Sequence, residues 1–203
     1  MKKFLLGVLL AMSLIASVFA EVEIPMEKRI ANFSSGCCVW CSLENLANVH
    51  RVTELKGIAE YRHNNYRLRK VWTGSKWFYR NEAAGTSDRV RKEFKRLNIT
   101  RYKIQEHGDR STAILKEAVE KNLGCAIGFL NYPGRGDYHM VTLTDLDDKK
   151  VVFVENRGKL PRVEKTRQWF NEHWSGYTII LYPNRPPLRR PPIRPKIKME
   201  SAK

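Results

Sequence analysis

Asn32-Phe33-Ser34-Ser35-Gly36-Cys37-Cys38-Val39-Trp40-Cys41-Ser42-Leu43-Glu44-Asn45-Leu46 is the stretch from which the rest of the chain can be read. A glycine and two serines lead into clustered cysteines, and apolar residues follow at helical spacing: Leu43, Leu46, Ala47 and Val49. The pattern predicts a helix from Cys38 to about His50, with a cysteine in its first turn. There the unpaired backbone N–H groups and the positive end of the helix dipole favour thiolate over thiol. Cys38 is the candidate nucleophile, and a purely packing or disulfide use of the cluster is the competing reading.

Working outward, Thr53 can cap a second helix with Leu55, Ile58, Ala59 and Tyr61 as its buried side. Between Arg62 and Gly85, aromatic residues interleave with Arg and Lys, a mixture suited to stacking on single-stranded nucleic acid or sugar. The preferred expectation there is an irregular lobe with its aromatics packed inward. Ser87 caps a helix carrying Val90, Phe94 and Leu97, and Tyr102–Gln105 alternates as a short strand. Ser111 or Thr112 caps a helix with Ile114, Leu115, Ala118 and Val119, followed by an apolar strand from Cys125 to Leu130. His139 opens a strand running to Leu146, and a turn at Asp147–Lys150 leads to a partner strand from Val151 to Asn156. A helix carrying Trp169, Phe170 and Trp174 precedes a last strand, Tyr177–Tyr182. Helices first, then a mainly antiparallel sheet, define an α+β fold.

Met1-Lys2-Lys3, an apolar run and Ala16-Ser17-Val18-Phe19-Ala20 predict a secretory signal peptide over residues 1–20, cleaved near Ala20. The apolar run is shorter than the roughly 20 residues of a spanning helix, so no transmembrane segment is expected after cleavage. Residues 21–183 are expected to form one domain and 184–203 a disordered Pro/Arg-rich basic tail. The full chain carries a formal net charge of +16, or about +14 without Lys2 and Lys3. The tail holds Arg185, Arg189, Arg190, Arg194, Lys196, Lys198 and Lys203 against Glu200 alone. It is a candidate for holding the protein to an anionic surface or polymer, with a solvated tail as the alternative, and no specific nucleic-acid partner is implied. Export permits disulfides, and a bridge from Cys37 or Cys41 to Cys125 stays open. The cluster has no second Cys-x-x-Cys or His-x-x-x-His half, so neither a metal nor a cofactor is expected.

A cysteine nucleophile needs a base, and the base needs a group to hold its ring. Cys38, His139 and Asn156 supply these in chain order. A hairpin joining the two strands brings His139 and Asn156 together, and regular alternation would put the neighbouring candidate, Glu155, on the opposite face. An amide suffices as third member if the pair rests as thiolate and imidazolium.

These residues resemble the papain-like cysteine peptidases. Gly36-Cys37-Cys38-Val39-Trp40-Cys41-Ser42 is similar to that family's run around its nucleophile, which it places at Cys38. Asn32 stands six residues before Cys38, where the family has the Gln of its oxyanion hole. The downstream part resembles the branch related to bacteriocin-processing peptidases. His139-Met140-Val141 opens a hairpin, Glu155-Asn156 ends it, and a helix containing Phe170 and Trp174 precedes a final strand. Val39-Trp40 stands where that branch usually has Gly-Pro. The resemblance spans roughly residues 30–182.

It implies a papain-like domain and a secreted or periplasmic thiol protease hydrolysing peptide or protein substrates through a Cys-His-Asn triad and a thioester. A cell-wall amidase or transpeptidase with the same triad is one alternative. A non-catalytic basic binding protein on the same scaffold is the other.

Overall fold

The computed structural model of the 203-residue chain describes residues 21–32, 36–65, 68–72, 74–81, 84–133 and 138–183. The expected signal peptide and basic tail lie outside the described residues. Helix α1 (Cys38–His50) lies where the cysteine run places it, and nearly all of it is buried. Trp40, Cys41, Leu43 and Leu46 have no exposed surface, so the helix is held by its surroundings rather than by one apolar stripe. Its buried polar side chains are all engaged. Glu44 accepts from the N–H groups of Gly57 (2.7 Å) and Ala59 (3.1 Å), fastening the start of α2 (Ile58–Asn65). Asn45 Oδ1 accepts from Ile30 N–H (2.7 Å).

The sheet has six strands: β3 (Tyr102–Gln105), β4 (Cys125–Leu130), β5 (Tyr138–Leu146), β6 (Lys150–Val154), β7 (Arg162–Thr166) and β8 (Trp174–Leu181). Its order is β3-β8-β4-β5-β6-β7, with every neighbouring pair antiparallel. One face packs on α1 and on α3 (Ser87–Arg96) through Ala126, Met140, Ile179, Leu181, Val90 and Phe94. The other face packs on α4 (Ala113–Glu120) and α5 (Arg167–His173) through Ile127, Phe129, Val141, Leu143, Phe153 and Phe170. The α+β class is as expected, and N-terminal helices on an antiparallel sheet are consistent with a papain-like arrangement. Among the described residues, no helix is long and apolar enough to cross a membrane.

Several local expectations are corrected. Thr53–Leu55 is a separate 3-10 turn, and Gly57, at φ +77°, divides it from α2. On α2 Arg62 is buried while Tyr61 is exposed, because Arg62 lies over the Trp40 ring (4.7 Å) and pairs with Glu93. The lobe expected to be irregular contains a two-stranded ribbon, β1 (Leu68–Trp72) with β2 (Trp77–Asn81), and Trp72 is half exposed rather than packed inward. Strand β7 is unforeseen, since its charged sequence pairs only along one edge of β6. Helix α5 ends at His173, and Trp174 begins β8 instead of closing the helix. All four cysteines are free and buried. Cys125 belongs to the core on the face opposite Cys37 and Cys41, so the open bridge to Cys125 is excluded by the intervening sheet.

His50, near the C-terminal end of α1, is 8% exposed, and burial lowers its pKa from 6.5 to about 4. The unfolded chain takes up this proton near pH 6.5, whereas the folded chain refuses it until about pH 4. Stability contributed by the neutral ring is therefore present above pH 6.5 and lost as pH falls toward 4. The loss is on the order of 3 kcal/mol. Urea unfolding at pH 7 and pH 4.5 should show the wild type losing more stability over this interval than His50→Leu.

Candidate active site

The site lies where α1 begins, beside the start of β5. Strand β6 leaves the sheet after Val154, so the edge of β5 at Met140 has no strand partner on that side. Two side chains fill the gap. Asn156 Nδ2 donates to Met140 O (2.9 Å), and also to Cys38 O (3.0 Å) and Ser42 Oγ (3.2 Å). The Met140 N–H is received by the Cys38 sulfur. The thiol therefore rests against the peptide that joins His139 to Met140.

Cys38 is the first residue of α1 and is 7% exposed. Burial pushes its thiol pKa up, and the N–H groups of Met140, Val39 and Cys38 oppose this only in part. Desolvation thus outweighs the helix terminus that was expected to produce a resting thiolate. A buried neutral thiol needs a base rather than an ion-pair partner.

The base is in place, but held by a different residue. His139, 3% exposed, donates from Nε2 to Glu155 Oε1 (2.7 Å), a carboxylate also 3% exposed. The carboxylate has no proton of its own, so its partner nitrogen carries one, and Nδ1 is the nitrogen it leaves for other work. Asn156, expected in this role, bonds to α1 and β5 instead. The ranking of Asn156 over Glu155 is reversed for the bond to the imidazole.

The cause is a β-bulge. Leu146 pairs with Val151 and Asp145 with Val152, but beyond Thr144 the register shifts, so that Leu143 pairs with Phe153 and Thr142 with Val154. Without the extra residue, alternation would put Asn156 on the face of His139. With it, Glu155 shares the face of His139, while Asn156 shares that of Met140, toward α1.

Asn32, the expected oxyanion-hole residue, is at the same junction. Its backbone N–H donates to Asn156 O (2.6 Å). The preceding residue is tied to α1 by the Cys41 thiol, which donates to Ala31 O (3.4 Å). The structure thus brings together Cys38, His139, Glu155, Asn156 and the backbone of Asn32. Ser42 and Asn45 were not singled out from sequence. Ser42 Oγ donates to Cys38 O (2.8 Å), and Asn45 Nδ2 donates to Thr142 Oγ1 (3.3 Å), joining α1 to β5. Their signal in the sequence is polarity inside a helix with little solvated surface. Among the described residues no cluster of His, Cys, Asp or Glu could hold a metal.

No protein-family model and no curated protein matches this chain.

Removing the Asn156 amide leaves Met140 O without its side-chain donor and unfastens the first turn of α1. Asn156→Ala should lower stability by about 1–3 kcal/mol in urea unfolding. It should also raise the rate at which a small maleimide labels Cys38 under native conditions. Unchanged values of both would show that the amide does not secure the helix start.

Proposed function

We propose that the chain is a cysteine peptidase that cleaves peptide bonds by acyl transfer to Cys38. The observation that carries this reading is the buried His139–Glu155 pair at 2.7 Å, beside a thiol resting on the next peptide group of the same strand.

His139 Nδ1 takes the Cys38 proton as the sulfur attacks the substrate carbonyl carbon. The Glu155 carboxylate stabilises the imidazolium that forms, a task for which an amide carries no charge. The carbonyl oxygen becomes an oxyanion held by the backbone N–H of Cys38 at the start of α1, with the Asn32 amide as second donor. On collapse the carbon–nitrogen bond breaks, and the leaving amine receives the proton from Nδ1, leaving a thioester on Cys38. Water, deprotonated by the same nitrogen, then attacks the thioester, releasing the carboxylic acid and restoring the thiol. In this reading Asn156 is a positioning residue that sets α1 against β5. Export by the N-terminal segment would deliver the enzyme to a secreted or periplasmic site, where the basic tail could adhere to anionic polymer.

Iodoacetamide labelling read by peptide mass spectrometry tests the nucleophile, and hydrolysis of a mixed peptide pool tests the reaction. Cys38 should label faster than a free peptide thiol at neutral pH. His139→Ala should reduce hydrolysis by about 10²–10⁴-fold with the fold retained. Glu155→Gln should reduce kcat, while Glu155→Asp keeps more activity than Gln because the charge is preserved. A Cys38 thiol no more reactive than a free peptide thiol, together with no cleavage of any peptide, would sink the proposal.

A further inference from the structure

On the α1 side of the sheet, next to Cys38, three aromatic rings form a group to which the catalytic reading assigns no role. His107 stacks on Tyr177 (centroids 4.8 Å apart, planes at 27°) and meets Tyr138 edge-on (5.0 Å). Tyr177 is 1% exposed, and its hydroxyl donates to Gly85 O (3.2 Å). Both phenols lie close enough to Cys38 to feel its charge. His107 is exposed, so the group has a buried base and a ring at its surface.

The arrangement is rigid. Gly108 N–H donates to Ser175 O (2.9 Å), and Gln105 Nε2 donates to Asp109 O (2.6 Å) and Gly176 O (3.0 Å), locking the loop that carries His107 onto the start of β8. Two glycines make this close packing possible. A Cβ on Gly176, which is at φ +89°, would lie 2.4 Å from Asp109 O. A Cβ on Gly128 would lie 2.1 Å from the Tyr138 hydroxyl oxygen. Two strands thus give up side chains so that a surface imidazole can be held beside the thiol.

We propose that His107, supported by Tyr177 and Tyr138, is the floor of a specificity subsite for a planar or branched apolar side chain in the acyl part of the substrate. The proposal rests on the assignment of Cys38 as nucleophile. His139 shares the sheet face of Val141, away from α1, and its ring lies against Tyr132 (5.2 Å). The leaving amine, which takes its proton from that ring, departs on the His139 side. The acyl part then lies on the other side of the sulfur, over Tyr138 and His107. A flat, fixed aromatic surface favours ring and branched aliphatic groups by dispersion and by area removed from water, and gives glycine nothing to contact.

The test uses dipeptidyl chloromethyl ketones carrying Phe, Leu or Gly at each of the two positions before the ketone. In these reagents the Cys38 sulfur displaces chloride and forms a carbon–sulfur bond. In the wild type, Cys38 should be alkylated about tenfold faster by the best Phe or Leu reagent than by its Gly counterpart. The ratio should fall below about threefold in His107→Ala and be retained in His107→Phe. Iodoacetamide labelling should be the same in all three chains, which separates the subsite from thiol reactivity. A Phe-to-Gly ratio unchanged in His107→Ala would overturn the subsite.

A second measurement stands even if the thiol proves inert. In Cys38→Ser, N-acetyl-phenylalanine amide should shift the His107 ring resonances and N-acetyl-glycine amide should not. Identical effects of the two amides would overturn the subsite independently of any chemistry at Cys38.

Discussion

Much of this molecule turns on how the edge of β5 is completed where β6 departs. A strand edge buried beneath a helix must have its N–H and C=O groups satisfied, since each one left without a partner costs a substantial part of the stability of a small domain. At Met140 the completion comes from the Asn156 amide and the Cys38 sulfur. The same amide holds the first carbonyl of α1, so the helix start, the strand and the thiol are fixed by one small group of bonds. The segment leading to Asn32 joins this group through the carbonyl of Asn156. A nucleophile placed in this way has little freedom to drift from the strand beside it.

The bulge at Thr144 decides which chemistry that strand can offer. By shifting the register it turns Glu155 toward His139 and Asn156 toward α1, giving the carboxylate to the base and the amide to the scaffold. The allocation suits the thiol. Because burial raises the pKa of Cys38, proton removal costs more than at an exposed site, and a carboxylate behind the imidazole offsets part of that cost in a way a neutral amide does not. Reversing the two side chains would place a second buried charge beneath α1, where only backbone and hydroxyl oxygens await it.

The large features of this arrangement were legible in the sequence because they depend on local pattern. The apolar spacing after Cys38 gave α1, the run Cys125–Leu130 gave β4, and the turn residues Asp147–Lys150 placed the hairpin that brings residues 139 and 155–156 together. What was not legible depends on pairing between distant residues. A single extra residue in β5 is invisible to periodicity, yet it reverses every assignment of face beyond it. Strand β7 has too many charges to read as a strand, and becomes one only because β6 offers it an edge. The ring group around His107 joins residues from three strands or loops and has no signature in any one of them. Burial of the thiol, likewise, comes from the packed fold and not from the cysteine motif.

The placement of the four cysteines on two sides of one sheet bears on how the chain reaches its native state. Once β4, β5 and β8 are joined, Cys125 and the thiols of α1 cannot meet without opening the sheet, and none has appreciable contact with solvent. Before closure the chain has no such barrier, and a thiol pair oxidised during that interval would tether segments that belong on opposite faces. Oxidation is then a hazard of the nascent chain rather than a brace for the finished one, and rapid formation of the central strands is its main protection.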